Sequence, residues 1–378
     1  MSEIPVQSRI NIIEYTREKL VDWLTERNIA TYRAEQILKW IYLRQADSFD
    51  LMTDLSKDSR AMLKQQFVIG RLEAEAIETS RDGSRKYLFK LSDGKCIESV
   101  LIPERDHYTL CVSSQVGCAQ GCLFCLTASG GFERNLSRAE IIAQVRDIKN
   151  ELDDPGQLRN IVFMGMGEPL ANYKNLISAL DTITDNDAGL RFATRRITVS
   201  TAGLVTRFAA LGRDTKVNLA ISLNATDDET RSRLMPINRK YPIDALLAAC
   251  RRYPLPAGRR ITFEYILIKG VNDFPADARR LAKLLQPIRC KINLIPFNSH
   301  GGCDFERPAE SDIQAFYKIL FDKNYTVIIR RSKGQDISAA CGQLRARSAG
   351  LQAERRGQRA EGRGLRAEGR IRKWERSS

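Results

Sequence analysis

The stretch YTLCVSSQVGCAQGCLFC, residues 108–125, joins an apolar strand candidate to three closely spaced cysteines. Its first six residues, YTLCVS, have the apolar and β-branched content that is typical of a buried strand. Cys118, Cys122 and Cys125 follow within eight residues, on what is predicted to be one tight loop. A strand that ends in a loop rich in thiols predicts chemistry at the carboxyl end of that strand.

Strand and helix candidates alternate from this stretch towards the carboxyl terminus. The further strand candidates are NIVFMG (160–165), RITVS (196–200), VNLAISL (217–223), ITFEYILI (261–268), CKINLIP (290–296) and YTVIIR (325–330). The helix candidates are SRAEIIAQVRDIKN (137–150), IDALLAACRR (243–252), ADARRLAKLLQ (276–286) and ESDIQAFYKIL (310–320). Repeated β–α units with near-continuous apolar strands indicate a parallel sheet covered by helices. We therefore predict an α/β fold, a partial (β/α)6-type barrel with ligand groups at the carboxyl ends of its strands.

The regions around this core have different patterns. Residues 1–68 have apolar side chains three and four apart and no strand-like run, which predicts a small helical accessory domain. Residues 69–106 alternate strand candidates with the turn sequences RDGS and SDGK, and we interpret them as a β-rich connector. Residues 107–344 form the core. Residues 345–378 are rich in Arg, Gly, Glu and Ala and are predicted to be a disordered basic tail, either binding nucleic acid or without a function.

The composition excludes some classes of protein and suits one kind of partner. Hydrophobic residues make up 43% of the 378 residues, yet no apolar run approaches the roughly 20 residues that span a bilayer. The amino terminus lacks the basic-then-apolar order of a secretory signal, so we expect a cytoplasmic protein with no membrane partner. The net charge of +14 suits a nucleic-acid partner, but it fits a basic soluble protein with a charged tail equally well. Half of this charge, +7, lies in residues 345–378, where ten Arg and one Lys accompany four Glu.

The cysteine content points to metal binding or thiol chemistry in a reducing compartment, because nine is an odd number and three are crowded together. Three thiolates on one loop can hold three irons of a [4Fe–4S] cluster and leave the fourth iron open to a substrate or cofactor. A structural zinc site requires four ligands, and neither Cys96 nor Cys111 has the paired spacing of a zinc ribbon. The spacing therefore favours an iron–sulfur cluster over zinc.

The spacing C-x3-C-x2-C after a first β-strand resembles that of the radical S-adenosylmethionine (SAM) enzymes. The sequence Gly165-Met166-Gly167-Glu168-Pro169 strengthens the resemblance, because these enzymes have a glycine-rich turn near the amino group of SAM. Glu168 also argues against a phosphate loop, since a carboxylate repels an anion. The resemblance implies a radical SAM barrel with one [4Fe–4S] cluster on the three cysteines. SAM then binds the open iron, and its reductive cleavage yields a 5′-deoxyadenosyl radical.

Within this superfamily the chain resembles the RlmN/Cfr-type adenine methyltransferases of ribosomal RNA, from about Ile10 to Leu344. The matching segments include LCVSSQVGC, RNLSRAEIIAQV, MGMGEPL, RRITVSTAG, LAISLNA, MPINRKYP, KINLIPFN and DISAACGQL. The resemblance implies methylation of carbon 2 of an adenine in 23S rRNA and in some tRNAs, with two SAM molecules used per methyl group. Methylation of carbon 8 is the alternative within the family. A noncatalytic RNA-binding protein with a structural zinc is the alternative outside it.

The resemblance also assigns the residues that contact SAM beyond the cluster. These are Gly167, Glu168, Ser200, Ser222, Leu223, Asn224 and Asn298. All of them lie at or just after the carboxyl ends of predicted strands, where a barrel has its ligand groups. Many relatives have His where this chain has Asn224, a difference that a backbone contact would survive and a side-chain contact would not.

Three further residues receive catalytic roles from the resemblance. Cys341 matches the cysteine that a first SAM methylates. In the family, a second SAM then supplies the radical that removes hydrogen from this S-methyl group. The resulting methylene radical adds to adenine. Cys111 matches the thiol that resolves the protein–RNA adduct through a transient Cys111–Cys341 disulfide. Glu98 matches the proton acceptor, and Cys111 is a rival for that step. The resemblance also implies that the helical domain at residues 1–68 contacts RNA. It further implies a reduced flavodoxin- or ferredoxin-type electron donor and a monomeric enzyme.

Overall fold

The amino-terminal region is helical in the computed structural model, which describes residues 9–300 and 303–344. Its elements are β1 (Ile10–Asn11), α1 (Arg17–Thr25), α2 (Arg33–Tyr42), α3 (Lys57–Gln66) and β2 (Phe67–Val68). Side chains of Thr16 and Ser56 accept hydrogen bonds from backbone N–H groups in the first turns of α1 and α3 and so fix where these helices begin. The two short strands pair in parallel, which corrects the expectation that this region holds no strand.

An antiparallel region follows, as its alternating sequence and turn signals predict. Its strands are β3 (Ala74–Thr79), β4 (Arg85–Lys90) and β5 (Cys96–Pro103), and each pairs with the next. The two turns contain Gly83 and Gly94, which adopt φ angles of 83° and 79°. Glycine suits these positions because it has no Cβ to clash in the left-handed region.

The β–α core begins with β6 (Tyr108–Cys111), β7 (Gln115–Gly117), α4 (Leu126–Ser129), β8 (Phe132–Asn135), α5 (Arg138–Glu151), β9 (Leu158–Phe163) and α6 (Tyr173–Thr184). It continues with β10 (Ile197–Thr201), α7 (Phe208–Asp214), β11 (Asn218–Ser222), α8 (Asp228–Leu234), α9 (Ile243–Arg252) and β12 (Ile261–Leu267). It ends with α10 (Pro275–Leu285), β13 (Cys290–Pro296), α11 (Glu310–Phe321) and β14 (Val327–Ile329). All seven predicted core strands and all four predicted helices are present, and Ser137 and Glu140 form a capping box at the start of α5.

One ten-stranded sheet joins these strands in the order β14-β13-β12-β11-β10-β9-β6-β5-β4-β3. Strands β6 and β9–β14 are parallel to one another, whereas β5, β4 and β3 extend the sheet in antiparallel fashion. The predicted α/β fold with a partial barrel is therefore confirmed. Because the seven parallel strands run in one direction, their carboxyl ends meet at one edge, and the loops that follow them surround the same space.

A single hydrophobic core continues from the amino-terminal helices into the barrel. Polar contacts reinforce this junction: a guanidinium nitrogen of Arg138, at the start of α5, donates to the carbonyl of Ile13, and Arg146 donates to the carbonyl of Gly70 at 2.7 Å. The helical region is therefore packed on the outer helices of the barrel. Among the described residues, no helix is both long and apolar enough to cross a membrane. The predicted tail at residues 345–378 lies outside the described residues.

Candidate active site

The carboxyl ends of the parallel strands surround a cavity of about 150 Å³, which we call the inner cavity. Nine of the residues singled out in the sequence line it: Cys118, Cys122, Cys125, Gly167, Glu168, Ser200, Ser222, Asn224 and Cys341. They come from loops and strand ends that are far apart in the sequence. Parallel topology explains the convergence, because every strand delivers its carboxyl end to the same edge of the sheet.

The three closely spaced cysteines lie on a loop that a small β-hairpin, β7–β8, holds in place. The backbone N–H of Cys118 donates to the carbonyl of Gly131 at 2.7 Å, and that of Cys125 donates to the carbonyl of Cys122 at 3.1 Å. Burial, followed by the nearby charges of other thiolates and of Glu168, raises the pKa of Cys122 well above its ordinary value. Unliganded Cys122 therefore stays protonated, and cluster binding must displace its proton.

These thiols suit an iron–sulfur cluster better than a single metal ion. Across residues 9–300 and 303–344, no three His, Cys, Asp or Glu side chains converge closely enough to hold one ion together. A [4Fe–4S] cluster does not require such convergence, because each thiolate binds a different iron of an extended cube. Three thiols that line one cavity are the donor set that such a cluster takes.

A tight turn after β9 brings Gly167 and Glu168 to the inner cavity. Gly167 has a φ of 100°, and a Cβ at this position would lie 2.5 Å from Cβ of Gln115, so only glycine fits without strain. The carboxylate of Glu168 is buried and accepts hydrogen bonds from the backbone N–H of Leu170 at 3.0 Å and of Ala202 at 2.7 Å. Burial raises the pKa of Glu168, and these hydrogen bonds oppose the increase. The turn therefore presents a fixed acceptor that suits an ammonium group.

Asn224 has its backbone in the left-handed region, with a φ of 57°, a conformation that Asn tolerates better than most residues. Its side-chain oxygen accepts a hydrogen bond from the backbone N–H of Ile266 at 2.9 Å, and its amide nitrogen lies 3.3 Å from the sulfur of Met235. The side chain of Asn224 is thus engaged within the protein. Its backbone carbonyl accepts a hydrogen bond from the side chain of Asn272 at 2.7 Å, and its contact with SAM stays a prediction.

Arg231 is a buried residue that the sequence analysis did not identify. Its guanidinium donates hydrogen bonds to the carbonyls of Ala202 at 2.8 Å, Leu223 at 3.0 Å and Ser222 at 3.2 Å, and to the side chain of Asn238 at 2.8 Å. These carbonyls follow strands β10 and β11, so one side chain ties together two of the loops around the inner cavity. Burial lowers the pKa of Arg231 to about 10, which leaves it charged at neutral pH.

Residues 334–344 form a segment that we call the strap, and it brings Cys341 to the edge of the inner cavity. At its far end the backbone N–H of Gly334 donates to the carboxylate of Asp82 at 2.8 Å, and Lys86 Nζ donates to the carbonyl of Ile337 at 2.6 Å. The strap is therefore fastened to the antiparallel strands, outside the parallel core.

The other end of the strap is fastened to the cysteine loop. The carbonyl of Gly342 accepts a hydrogen bond from the backbone N–H of Leu126 at 2.7 Å, and the carbonyl of Leu344 accepts one from the hydroxyl of Thr127 at 2.6 Å. Leu126 directly follows the third cysteine of the loop. Cys341 is thus held between the cysteine loop and the antiparallel strands.

A second cavity of about 390 Å³, the outer cavity, lies on the other side of Cys341. Cys111, at the end of β6, lines this cavity together with Cys341, and both cysteines are free thiols. Burial, and then the nearby thiolate charge of Cys341, raises the pKa of Cys111 to about 12. The residues common to both cavities are Met164, Ile295, Arg330 and Cys341. Cys341 therefore has access to both the inner and the outer cavity.

Besides Cys111, three further predicted site residues lie apart from the inner cavity lining. Asn298 borders an adjoining groove and donates from its amide to the carbonyl of Cys341 at 3.4 Å. Leu223 is fully buried, and its backbone N–H and carbonyl are both used by protein partners. Glu98 is buried on β5 with its carboxylate 3.6 Å from Lys86 Nζ, and it is absent from the described linings of both cavities. Its role as proton acceptor remains a prediction.

Comparison with known proteins identifies the family. The family model described as the ribosomal RNA large subunit methyltransferase N-terminal domain matches residues 10–69, and that of the radical SAM superfamily matches residues 112–285. The chain is 60% identical to the dual-specificity RNA methyltransferase RlmN of Desulfosudis oleivorans, over 88% of this chain and 89% of that protein. It is 54% identical to the protein of the same name from Geotalea uraniireducens, over 90% of this chain and 97% of that one.

A solved structure leads to the same family. The crystal structure of a radical SAM methyltransferase from Sphaerobacter thermophilus has a TM-score of 0.84 and 44% sequence identity, and the match covers 89% of this chain and all of that one. Both the helical region and the barrel thus have counterparts in proteins of one kind. The chain belongs to the RlmN family of dual-specificity RNA methyltransferases, within the radical SAM superfamily.

Proposed function

We propose that this protein methylates carbon 2 of an adenine in 23S rRNA and in some tRNAs, through an S-methylated Cys341 and with two SAM molecules per methyl group. The observation that carries the proposal is the position of Cys341 at the boundary between two cavities. A cysteine that takes a methyl group on one side and transfers its carbon on the other needs access to both. The names of the relatives, which are dual-specificity RNA methyltransferases, support the two classes of RNA.

The inner cavity is proposed to hold the cofactors. Cys118, Cys122 and Cys125 would bind three irons of a [4Fe–4S] cluster, which together with SAM supplies the radical that removes hydrogen from the S-methyl group. Glu168 offers its buried carboxylate to the amino group of SAM. The remaining proposed SAM contacts are Gly167, Ser200, Ser222, Leu223, Asn224 and Asn298. Arg231 keeps two of their loops in position through the carbonyls that it binds.

The outer cavity is proposed to receive the adenine and to resolve the adduct. Cys111 lines this cavity with Cys341, so its sulfur can attack that of Cys341 after the methylene carbon has bonded to adenine. Glu98 is proposed as the acceptor of the ring proton, and it lies on the same sheet face as Cys111, because Val100, two residues on, pairs with Cys111. Cys111 itself is the rival for that proton.

The partners and location belong to the same proposal. A flavodoxin- or ferredoxin-type protein would deliver the electrons, and the enzyme would act as a monomer in the cytoplasm. Nine free cysteines accord with a reducing compartment, where disulfides are rare. The family resemblance supports the choice of electron donor.

Nucleoside mass spectrometry tests the proposal. Anaerobically reconstituted protein, SAM and a reductant are incubated with an unmodified 23S rRNA fragment and, separately, with tRNA, and the digests are compared with standards. We expect 2-methyladenosine from both RNAs. 8-Methyladenosine would assign the protein to the carbon-8 branch. A colourless protein that contains zinc and leaves both RNAs unmodified would support the noncatalytic RNA-binding alternative instead.

A further inference from the structure

Arg330 follows β14 directly, and its side chain lines both the inner and the outer cavity. Its backbone N–H donates to the carbonyl of Leu294 at 2.8 Å, which fixes the main chain at the end of the last strand. The guanidinium Nη1 lies 3.7 Å from the sulfur of Met164, the residue after β9. Arg330 therefore occupies the wall between the cavities, beside Cys341.

The groups around Arg330 are a set of anions and potential anions. Cys341 on the strap, Cys111 on β6 and Glu104 line the outer cavity together with Arg330, and Glu264 on β12 lines the inner cavity with it. The thiolate of Cys341, then Glu264 and Cys111, raise the pKa of Arg330 against the opposing effect of burial. Glu264 is buried; one of its oxygens accepts a hydrogen bond from Asn293 at 2.9 Å, and the other accepts none from the described residues. The carboxylate of Glu264 balances the charge of Arg330 on the inner side.

The charge of Arg330 matters because Cys111 is otherwise a poor nucleophile. Only the thiolate form attacks another sulfur, and burial raises the pKa of Cys111 to about 12. The positive charge of Arg330 opposes this increase. A guanidinium suits the position better than an ammonium, because it keeps its proton when buried and is more weakly hydrated.

We propose that Arg330 is a positioning residue for the exchange between Cys111 and Cys341, a role that rests on the proposed function. In this step the thiolate of Cys111 forms a bond to the sulfur of Cys341, and the bond between that sulfur and the methylene carbon breaks. The electron pair of the broken bond goes to the carbon, which takes one proton and becomes the methyl group of the RNA. The two cysteines are thereby oxidised to a disulfide, and the methylene carbon is reduced.

A single-turnover experiment on the anaerobic holoenzyme tests this role. The experiment compares four proteins: wild type, Arg330→Gln, Arg330→Lys and Cys111→Ala. Mass spectrometry first shows that Cys341 is methylated in each of them. Each protein is then mixed with SAM, reductant and an unmodified 23S rRNA fragment. Protein–RNA adduct, free 2-methyladenosine and 5′-deoxyadenosine are measured over time. Arg260→Gln is the matched control, because Arg260 is exposed and makes its hydrogen bond to Thr326, away from both cavities.

We expect Arg330→Gln to form 5′-deoxyadenosine at a rate within about twofold of the wild-type rate. Its protein–RNA adduct should be resolved at least about 10-fold more slowly than in wild type, so that its behaviour approaches that of Cys111→Ala. Arg330→Lys restores the charge and should recover most of the resolution rate, and Arg260→Gln should behave as wild type. Recovery by lysine separates a role of the charge from a role in packing.

Three results would overturn the role of Arg330. The first is that Arg330→Gln releases methylated RNA at the wild-type rate. The second is that Arg330→Gln does not methylate Cys341, or does not cleave SAM. The third result applies even if Arg330→Gln fails to fold. It is that Arg330→Lys retains the protein–RNA adduct as strongly as Cys111→Ala does. Failure of the proposed function looks different, because wild type would then form no methylated adenosine and Cys111→Ala no adduct.

Discussion

The inner and outer cavities share a wall, yet different parts of the fold build them. The inner cavity is surrounded by the carboxyl ends of parallel strands and the loops that follow. Buried hydrogen bonds that Glu168 accepts and Arg231 donates fix those loops. The outer cavity lies between the end of β6 and the strap, which a few contacts to Asp82, Lys86 and Thr127 fasten in place.

This difference suggests a division of labour. A cofactor that must be held for many turnovers benefits from a site whose groups are fixed by the sheet itself. A cysteine that must form and break bonds to RNA and to a second cysteine benefits from a segment that is attached at its two ends. Changes to the inner cavity should therefore abolish all chemistry, whereas changes to the outer cavity should separate SAM cleavage from RNA methylation.

The largest expected effect comes from exchanging one cysteine in each cavity. Cys118→Ala removes a proposed cluster ligand, so we expect loss of the brown colour and a fall in 5′-deoxyadenosine formation of about 1,000-fold or more. Cys341→Ala should keep the cluster and cleave SAM, yet form no methylated RNA. Absorption spectra and chromatography of the products check both, with buried Cys290→Ala as a control for loss of a thiol. Methylated RNA from Cys341→Ala would refute the division.

A smaller effect is expected from the glycine that shapes the inner cavity. Gly167→Ala places a Cβ 2.5 Å from Gln115 at a φ of 100°, at a cost of about 1–3 kcal/mol. The turn that holds Glu168 must shift, so we expect SAM affinity to fall about 10-fold, measured by equilibrium binding to the reconstituted protein. Gly258→Ala is the control, because Gly258 has a φ of 76° but open space around its Cβ position. Equal losses of affinity in both variants would contradict this account.

The smallest effect is expected where the strap meets the antiparallel strands. Burial favours a higher pKa for Asp82, but hydrogen bonds from the backbone N–H groups of Gly334 and Ser84 outweigh it and lower the pKa from 3.8 to about 2. The stabilisation from the charged carboxylate is therefore complete above about pH 4 and is lost as the pH falls towards 2. In the cluster-free protein, proteolysis of the strap should accelerate across that range.

The substitution Asp82→Asn removes the charge of Asp82 at neutral pH, as low pH does in the wild-type protein. It therefore weakens one anchor of the strap. We expect RNA methylation to fall about 2- to 10-fold with SAM cleavage unchanged, since one hydrogen bond to a charged group is reduced to a neutral one. Proteolysis of the strap in this variant should lose the pH dependence between 4 and 2. An unchanged pH profile would show that Asp82 does not anchor the strap.

Much of the fold follows from the sequence because its signals are local. The seven core strands are short apolar runs, and the capping box at Ser137 is defined by residues three apart. The pairing of β1 with β2 was missed, because strands of two residues have no periodicity to detect. The residues at the strand ends were assigned by the family resemblance, and parallel topology accords with that assignment because it brings these strand ends to one edge of the sheet.

The charged residues of the site were harder to find. Glu264 stands inside the apolar run ITFEYILI, and this contrast was the signal available in the sequence. Arg330 ends a strand candidate and gives no sign that it faces two thiols. Arg231 lies in a polar helix, and its burial arises only when two strand ends approach it. Burial of a long charged side chain depends on partners that are distant in the sequence.

The β–α order, the three-cysteine loop and the resemblance to one family follow from the amino-acid sequence, since each depends on spacing along the chain. The folded structure adds that Cys341 lies between two cavities, that Cys111 shares one of them, and that Glu98 pairs with Lys86. The strap has no periodicity that predicts its path. Its position is set by hydrogen bonds to Asp82, Lys86 and Thr127, which become its neighbours only when the sheet has formed.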